Sequence, residues 1–221
     1  MKKNFKFAAI GCGGIIAFAI LVGILAAIFD PEDSNEKSSI SKQDTTLDTL
    51  AIQKENQIAD SIATVNKEKK LQAEADLKKF KKNTDEFEGS SFYRDPRTPN
   101  YTNVNFVYPY IGEKNNSYWL RLKMQYAADD WLFINKAIFL VDGETFPVTG
   151  NWERDNSGGQ IWEWIDMPVE ESGIPLLQLI ANSKTTKLRY EGNQYRNDRE
   201  ITNKEKDIIK KTLEIYRGLK N

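Results

Sequence analysis

Residues 117–126 read SYWLRLKMQY and alternate between two kinds of side chain. The apolar and aromatic set comprises Tyr118, Leu120, Leu122, Met124 and Tyr126, and the polar set comprises Trp119, Arg121, Lys123 and Gln125. Successive side chains of a β-strand point to opposite faces of the sheet. The alternation therefore predicts a strand with one face on a core and the other toward solvent, as is typical of antiparallel sheets.

Further strands are predicted before and after this segment. Four of them, at 86–94, 104–111, 160–169 and 185–191, are rich in β-branched and aromatic residues. Residues 131–141 are apolar on both faces apart from Asn135 and Lys136, which predicts a central strand covered on both sides.

Turn signals divide the second half of the chain. Asp142-Gly143 predicts a tight hairpin turn, because both central residues of such a turn favour positive φ. The return strand at 144–149 contains Pro147, which predicts an edge strand. The polar segments 151–159 and 192–200 are predicted to be loops.

Two helices complete the predicted domain, which spans residues 85–221. A short helix is expected at 171–183, and a longer one begins at Thr202, where Glu205 three residues later forms a capping box. One face of the second helix carries Ile208, Ile209, Leu213, Tyr216 and Leu219. The pattern predicts an α+β fold with a sandwich-like antiparallel sheet and an amphipathic C-terminal helix that packs on it.

The sequence FAAIGCGGIIAFAILVGILAAIF, residues 7–29, contains no charged side chain. As a helix it would extend about 34 Å, enough to cross a hydrocarbon core of about 30 Å. Lysines lie in the tail at 1–6 and acidic residues follow the run, so the N-terminus is predicted inside and the domain outside. We therefore expect a single-pass protein of the bacterial cytoplasmic (inner) membrane.

Other interpretations of this segment stay open. Its length disfavours a cleaved signal peptide, although Ala26-Ala27 offers small residues. The sequence around Cys12 resembles a lipidation site, but the apolar run continues long after it. Small residues recur at four-residue spacing, at Ala9-Gly13-Ala17 and Ala19-Gly23-Ala27, and such ridges favour helix pairing in lipid. A homo-oligomer is therefore one expected partner arrangement.

A spacer separates the predicted anchor from the domain. Residues 30–44 are polar and predict a flexible linker. Residues 45–82 lack glycine and proline and predict a helical stalk. The apolar positions do not sustain a heptad, so the stalk is expected to pair weakly as a coiled coil or to stay solvated.

Composition excludes several classes of site. The chain has no histidine and one cysteine, Cys12, within the apolar run. Histidine-dependent nucleophilic catalysis is therefore excluded, and zinc, copper and iron lose their preferred ligands. A net charge of −1 argues against bulk nucleic-acid binding. We expect no metal, no cofactor and a protein that binds rather than catalyses.

The candidate ligand-binding residues are aromatic or charged. Trp162 and Trp164 share one predicted strand face with Asp166; they could form an aromatic platform, but a role in the core is favoured. Trp119 is the better candidate for an exposed ring. Arg154 and Asp155 are added as binding residues or as an ion pair, and Asp198-Arg199 as a second ion pair. Glu163 and Asp166 are expected on opposite faces, which disfavours an acid–base pair.

Three segments carry a resemblance: WLFINKAIFLVDGETF, RDNSGGQIWEWIDMPV and KTTKLRYEGNQYRNDREIT. Together they resemble a group of bacterial membrane- or lipid-anchored proteins with a small β-rich C-terminal domain. The resemblance covers residues 85–221 and implies a place in the bacterial envelope. It implies no catalytic residue, and the lack of a convincing lipidation site departs from the lipid-anchored members.

The leading functional hypothesis is a tethered, non-catalytic envelope module that binds an unidentified protein or glycan, with residues 7–29 in the bilayer. The first alternative is a structural or assembly subunit that self-associates through anchor and stalk. The second is a carboxylate-dependent hydrolase that acts on an envelope glycan.

Overall fold

The structure is a computed structural model that describes residues 44–220, with side chains from residue 53 onward. The predicted tail, anchor and most of the linker lie outside the described residues. Within those residues, no helix is both long and apolar enough to cross a membrane. The chain forms an α+β fold with two curled antiparallel sheets and three helices among the described residues.

The helices lie at the beginning, near the end and at the end of the described chain. They are α1 (Asp44–Leu77), α2 (Ile174–Asn182, preceded by one 3-10 turn) and α3 (Asn203–Lys220). The first sheet contains six strands in the order β1-β2-β3-β4-β8-β7. These strands are β1 (Lys81–Asp85), β2 (Ser90–Arg94), β3 (Phe106–Lys114), β4 (Ser117–Ala128), β7 (Glu153–Ser157) and β8 (Gln160–Val169).

The second sheet contains four strands in the order β10-β9-β5-β6. They are β5 (Lys136–Val141), β6 (Glu144–Thr149), β9 (Thr186–Glu191) and β10 (Arg196–Glu200). The sheets and the helices bury their apolar side chains in one cluster. In that cluster the rings of Tyr126, from the six-stranded sheet, and Tyr190, from the four-stranded sheet, lie 5.5 Å apart. The inner faces of the two sheets are therefore covered, and α3 packs against β3 and β4.

Several predicted elements are confirmed. Strands β6 and β8 have the predicted bounds, and β6 lies at a sheet edge. Asp142 and Gly143 have φ values of 46° and 100°, as the predicted tight turn requires. The capping box is formed, because the Thr202 hydroxyl accepts from the Glu205 N–H while the Glu205 carboxylate accepts from the Thr202 N–H. The predicted face of α3 is buried.

The prediction for residues 131–141 is partly wrong. Only Lys136–Val141 is a strand, and its burial alternates, with Leu140 exposed. Phe133 has a φ of 54°, a left-handed conformation that interrupts an extended chain. This preceding segment bends so that its backbone N–H groups meet the Glu163 carboxylate.

Both loop predictions are wrong where short polar strands occur. Residues 151–159 contain β7, and residues 192–200 contain β10. The strand expected at 86–94 is also shorter, since it begins at Ser90 and pairs with the unpredicted β1. The helix predicted at 45–82 ends at Leu77, so the sheet begins before residue 85.

Candidate functional site

The outer face of the six-stranded sheet carries an unusual number of aromatic side chains. Cross-strand pairing places Phe92 opposite Gly112, Gly112 opposite Trp119, Tyr110 opposite Arg121 and Gln125 opposite Trp164. Directly opposed residues of an antiparallel pair lie on one face. We call this surface the aromatic face, and its rings are Phe92, Phe106, Tyr108, Tyr110, Trp119, Trp162 and Trp164.

One end of the aromatic face is covered by residues 99–101. Arg94 donates to the Pro99 carbonyl, and Gln125 donates to the Tyr101 carbonyl, each at 3.2 Å. Lys81 donates to the Asn100 side chain at the same distance. The covered end is where Tyr108 and Gln125 become buried. The remaining rings of the face are half-buried, so each is partly accessible to solvent.

A pocket of about 230 Å³ opens in the aromatic face. Its lining residues are Asn83, Phe92, Arg94, Tyr108, Tyr110, Lys123 and Asp166. They come from β1, β2, β3, β4 and β8, so the antiparallel register alone brings them together. The pocket combines aromatic walls with hydrogen-bonding and charged groups, which is the usual composition of a small-molecule site.

Asp166 is the one carboxylate among the pocket-lining residues, and Tyr110 and Arg121 hold it in place. The Tyr110 hydroxyl donates to its oxygens at 2.7 and 2.8 Å, and the Arg121 Nε lies 2.8 Å from Oδ1. The Lys123 Nζ lies 3.9 Å from Oδ2. Burial, and then the Asp166 charge, raise the pKa of Tyr110 well above its ordinary value, so this phenol stays a hydrogen-bond donor.

The cations around this pocket outnumber the carboxylates. Arg94, Lys123 and the adjacent Arg121 carry three positive charges against the single charge of Asp166. No carboxylate among the described residues lies within ion-pair distance of Arg94. Arg94 donates instead to the uncharged Pro99 carbonyl. The pocket therefore presents surplus positive charge beside aromatic rings.

The Trp119 indole lies against Gly112, the residue opposite it on β3. A side chain at Gly112 would overlap the Trp119 indole, so glycine there lets the ring lie on the strand. Phe92 meets Trp119 edge-on at 6.1 Å between centroids and meets Tyr110 at 6.0 Å. The expected exposed ring is thus half-buried, and it is continuous with the aromatic wall of the pocket.

The prediction that Trp162 and Trp164 belong to the core is wrong. Their strand buries Ile161, Glu163 and Ile165 on its inner face, and the two tryptophans are half-buried on the opposite face. Trp162 is paired with Asp155, and Trp164 with Glu153, on the edge strand β7. Asp155 therefore lies with the tryptophans on the aromatic face.

Arg154 lies on the other face of β7 and serves a different partner. Its Nε is 2.9 Å from the Glu163 Oε2, and its Nη2 donates to the Ile134 carbonyl at 2.8 Å. The predicted Arg154–Asp155 ion pair is therefore wrong. Glu163 also accepts the backbone N–H groups of residues 132–134, which saturates a carboxylate with no solvent exposure.

The predicted Asp198–Arg199 ion pair is also wrong, because adjacent residues of a strand point to opposite faces. Asp198 pairs with Arg189 across the β9–β10 ladder, while Arg199 pairs with Glu205 of α3. Glu163 and Asp166 lie on opposite faces of β8, as predicted. These two carboxylates do not form an acid–base pair across one cleft.

A larger groove of about 1460 Å³ lies between the C-terminal part of α1, the first turns of α2 and the length of α3. Its rim mixes both signs of charge, with Lys69 and Lys211 alongside Asp76, Asp207 and Glu214. This mixture favours no single sign of ligand charge. The pocket in the aromatic face has the more specific chemistry despite its smaller volume.

Comparison of the chain with family models, curated proteins and solved structures found no significant match. Within residues 44–220, no cluster of three or more side chains is suited to hold a metal ion. The candidate site is therefore the pocket in the aromatic face, chosen on its lining residues and their contacts. Sequence reasoning missed Arg94, Tyr108, Tyr110 and Lys123; the alternation of Tyr108 and Tyr110 with Val107 and Ile111 was a signal for the two tyrosines.

Proposed function

We propose that this protein is a membrane-tethered, non-catalytic binding module of the bacterial envelope. In this proposal residues 7–29 cross the cytoplasmic membrane, residues 30–77 form the linker and helical stalk, and a sandwich-like domain lies outside. The proposal is supported by one observation above all, the half-buried aromatic face around Trp119, Trp162 and Trp164. Exposed aromatic rings beside polar groups are typical of sites for sugars and peptides.

The absence of histidine from the sequence and the single carboxylate among the pocket-lining residues favour binding over hydrolysis. Paired carboxylates are needed for the usual glycoside hydrolysis. Asp166 is instead held by hydrogen bonds from Tyr110 and Arg121, which fix the positions of these side chains on the aromatic face. The aromatic face is therefore proposed as a recognition surface.

The binding proposal is tested with the full chain in detergent by co-sedimentation with insoluble envelope polysaccharide. A variant that combines Trp162→Ala and Trp164→Ala is expected to bind at least fivefold less than the wild type. Tyr195→Ala, which removes an aromatic ring that is 65% exposed outside the aromatic face, is the matched control. Equal sedimentation of wild type and double variant would contradict a role for this face in polysaccharide binding.

Self-assembly through α1 is the second candidate function, and a specific observation favours it. Ile58, Ile62 and Val65 are spaced by four and three residues and are 60%, 55% and 46% exposed. Such spacing places them along one side of a helix. A second copy of α1 is a chemically suitable cover for this stripe, and two tethered chains would meet at a high local concentration.

A further inference from the structure

The pocket in the aromatic face has a chemistry that narrows its ligand. We infer that it binds a pyranose ring that carries a carboxylate or a phosphate, an inference that rests on the proposed function. The aromatic wall of Phe92 and Tyr110 would contact the ring, and Arg94 and Lys123 would hold the anionic group.

The charge balance of the pocket favours an anionic ligand. The Asp166 carboxylate is shared by Tyr110 and Arg121 at 2.7 to 2.8 Å, whereas Lys123 reaches it only at 3.9 Å. Arg94 donates to a backbone carbonyl. Arg94 has no carboxylate within ion-pair distance among the described residues, and Lys123 shares Asp166 with Arg121. Such cations bind carboxylate or phosphate oxygens through charge-assisted hydrogen bonds. The single charge of Asp166 does not balance Arg94, Arg121 and Lys123, so the pocket favours an anionic group on the ligand.

The position of the pocket in the sheet argues for a sugar rather than an extended peptide. A peptide that binds to a sheet adds a strand at an edge, where backbone groups are unpaired. The pocket is centred on β3 and β4, which have hydrogen-bonded neighbours on both sides. Recognition there depends on side chains alone, and the Asn83 amide adds a polar group to the pocket lining.

The volume of the pocket sets the size of the ligand unit. Drug-sized ligands fill pockets of about 300–1,000 Å³. At about 230 Å³, this pocket suits one sugar residue of a longer chain. Trp119 continues the aromatic wall beside Phe92 and gives the next residue of the chain a surface.

A matched pair of sugars tests the inference. N-acetylmuramic acid and N-acetylglucosamine share one ring, and only the first carries a carboxylate. In ligand-detected NMR titrations of the full chain in nanodiscs, the acid is expected to bind at least tenfold more tightly. N-acetylglucosamine 6-phosphate distinguishes a phosphate from a carboxylate as the preferred group, and inorganic phosphate measures the anion without the ring.

Three variants locate the preference. Lys123→Met and Arg94→Met are each expected to reduce the tenfold preference to less than threefold, while Lys187→Met, on β9 in the other sheet, leaves it unchanged. The unfolding temperature of each variant shows that the loss is not one of folding. The preference surviving in both pocket variants would overturn the assignment to this pocket.

The sugars also separate this inference from the broader proposal. Equal affinities for acid and neutral sugar would overturn the inference and leave the aromatic face as a binding surface. Inorganic phosphate binding as tightly as the acidic sugars would overturn the role of the ring. Binding of none of the probes would overturn the inference, and the proposed function would then depend on the co-sedimentation result for the tryptophan variants.

Discussion

Glu205 caps the start of α3 and joins it to two other parts of the chain, β3 and β10. Its carboxylate accepts from the Val107 N–H and the Thr202 N–H, both at 2.8 Å, and it pairs with Arg199. The side chain is only 1% exposed. Burial opposes its ionisation, but the hydrogen bonds and charge of Arg199, together with Thr202, outweigh burial and hold the pKa of Glu205 below its ordinary value of 4.5.

The lowered pKa of Glu205 predicts a specific pH dependence of stability. Since the folded-state pKa is below the unfolded value, the ionised carboxylate stabilises the fold above about pH 4.5. That contribution is lost as the pH falls through the folded-state pKa. Glu205→Gln is therefore expected to lower stability by about 3 kcal/mol at neutral pH and to differ less from the wild type at pH 3.

Thermal unfolding of the full chain between pH 3 and pH 7 checks this prediction. The difference between wild type and variant is the quantity of interest, because Asp76, Asp95, Asp142 and Asp198 also have lowered pKa values. Glu200→Gln, at an exposed neighbouring position, is the control and is expected to follow the wild type. A constant difference at all pH values would contradict the prediction.

Glu163 illustrates what the sequence does not reveal at the scale of a residue. Its position in an alternating strand predicts its inward direction, which an ionisable side chain normally avoids. Three backbone N–H groups and Arg154 compensate the burial, and all four donors lie outside its strand. The donors of residues 132–134 depend on the backbone bend at Phe133, and no local pattern of apolar residues encodes that bend.

The elements predicted from sequence are those with strong apolar patterns. Strands β4, β6 and β8 alternate or contain a turn signal, and α3 has a capping box and an apolar face. The missed strands β1, β7 and β10 read KKNTD, ERDNS and RNDRE. All three lie at sheet edges, where pairing with one neighbour makes the strand and charged residues discourage further pairing. Composition alone cannot distinguish such a strand from a loop.

The aromatic face could be predicted only in part, because the sequence shows which residues share a strand face but not which strands are neighbours. Alternation in β4 and β8 separates Trp119, Trp162 and Trp164 from their apolar neighbours. Asp166 lies beside Tyr110 and Lys123 because β8 is next to β4 in the sheet. The sequence does not reveal that strand order, because the chain crosses over from β4 to β8. The sequence therefore predicts which aromatic residues share a strand face, but only the strand order brings them together in one pocket.

The exposed stripe on α1 carries a prediction at the scale of an element. In a full chain that combines Cys12→Ser with Ile62→Cys, oxidation in membranes is expected to give a disulfide-linked dimer if two stripes face each other. Ile62 lies between Ile58 and Val65 on the helix surface, and all three are exposed. Burial of such side chains would stabilise the pair by about 1.5–3 kcal/mol for each fully covered residue.

Thr64→Cys in the same background is the matched control. Thr64 is also exposed, but it lies on the opposite side of α1, about 200° around the helix from Ile62. Dimer formation at residue 62 and not at residue 64 supports self-assembly through the stripe. Equal crosslinking at both positions would indicate random collision and would contradict this candidate function.

At the scale of the whole molecule, the C-terminal part of α1 belongs to the same compact unit as the sheets. Ala73, Leu77 and Phe80 are 5%, 6% and 6% exposed and contribute to the core cluster. Gly218 of α3 comes so close to Ala73 that an added methyl group would lie 2.5 Å from the Ala73 Cβ. The proposed spacer is thus continuous with the core of the domain it carries.

Two leucines on α1 test this continuity in the full chain. Leu77→Ala removes a buried side chain and is expected to destabilise the domain by about 2–5 kcal/mol, because the surrounding core cannot fully close the cavity. Leu71→Ala makes the same chemical change six residues earlier, at a side chain that is 56% exposed, and is expected to change stability by less than about 0.5 kcal/mol.

Thermal unfolding followed by near-ultraviolet circular dichroism reports on the tertiary packing of the tryptophans and tyrosines. If both variants unfold at the wild-type temperature, Leu77 contributes nothing to the stability of the domain, which would contradict the prediction. If Leu77→Ala alone unfolds earlier, the stalk and the domain unfold as one unit, and loss of the helix would also weaken the sheet that carries the aromatic face.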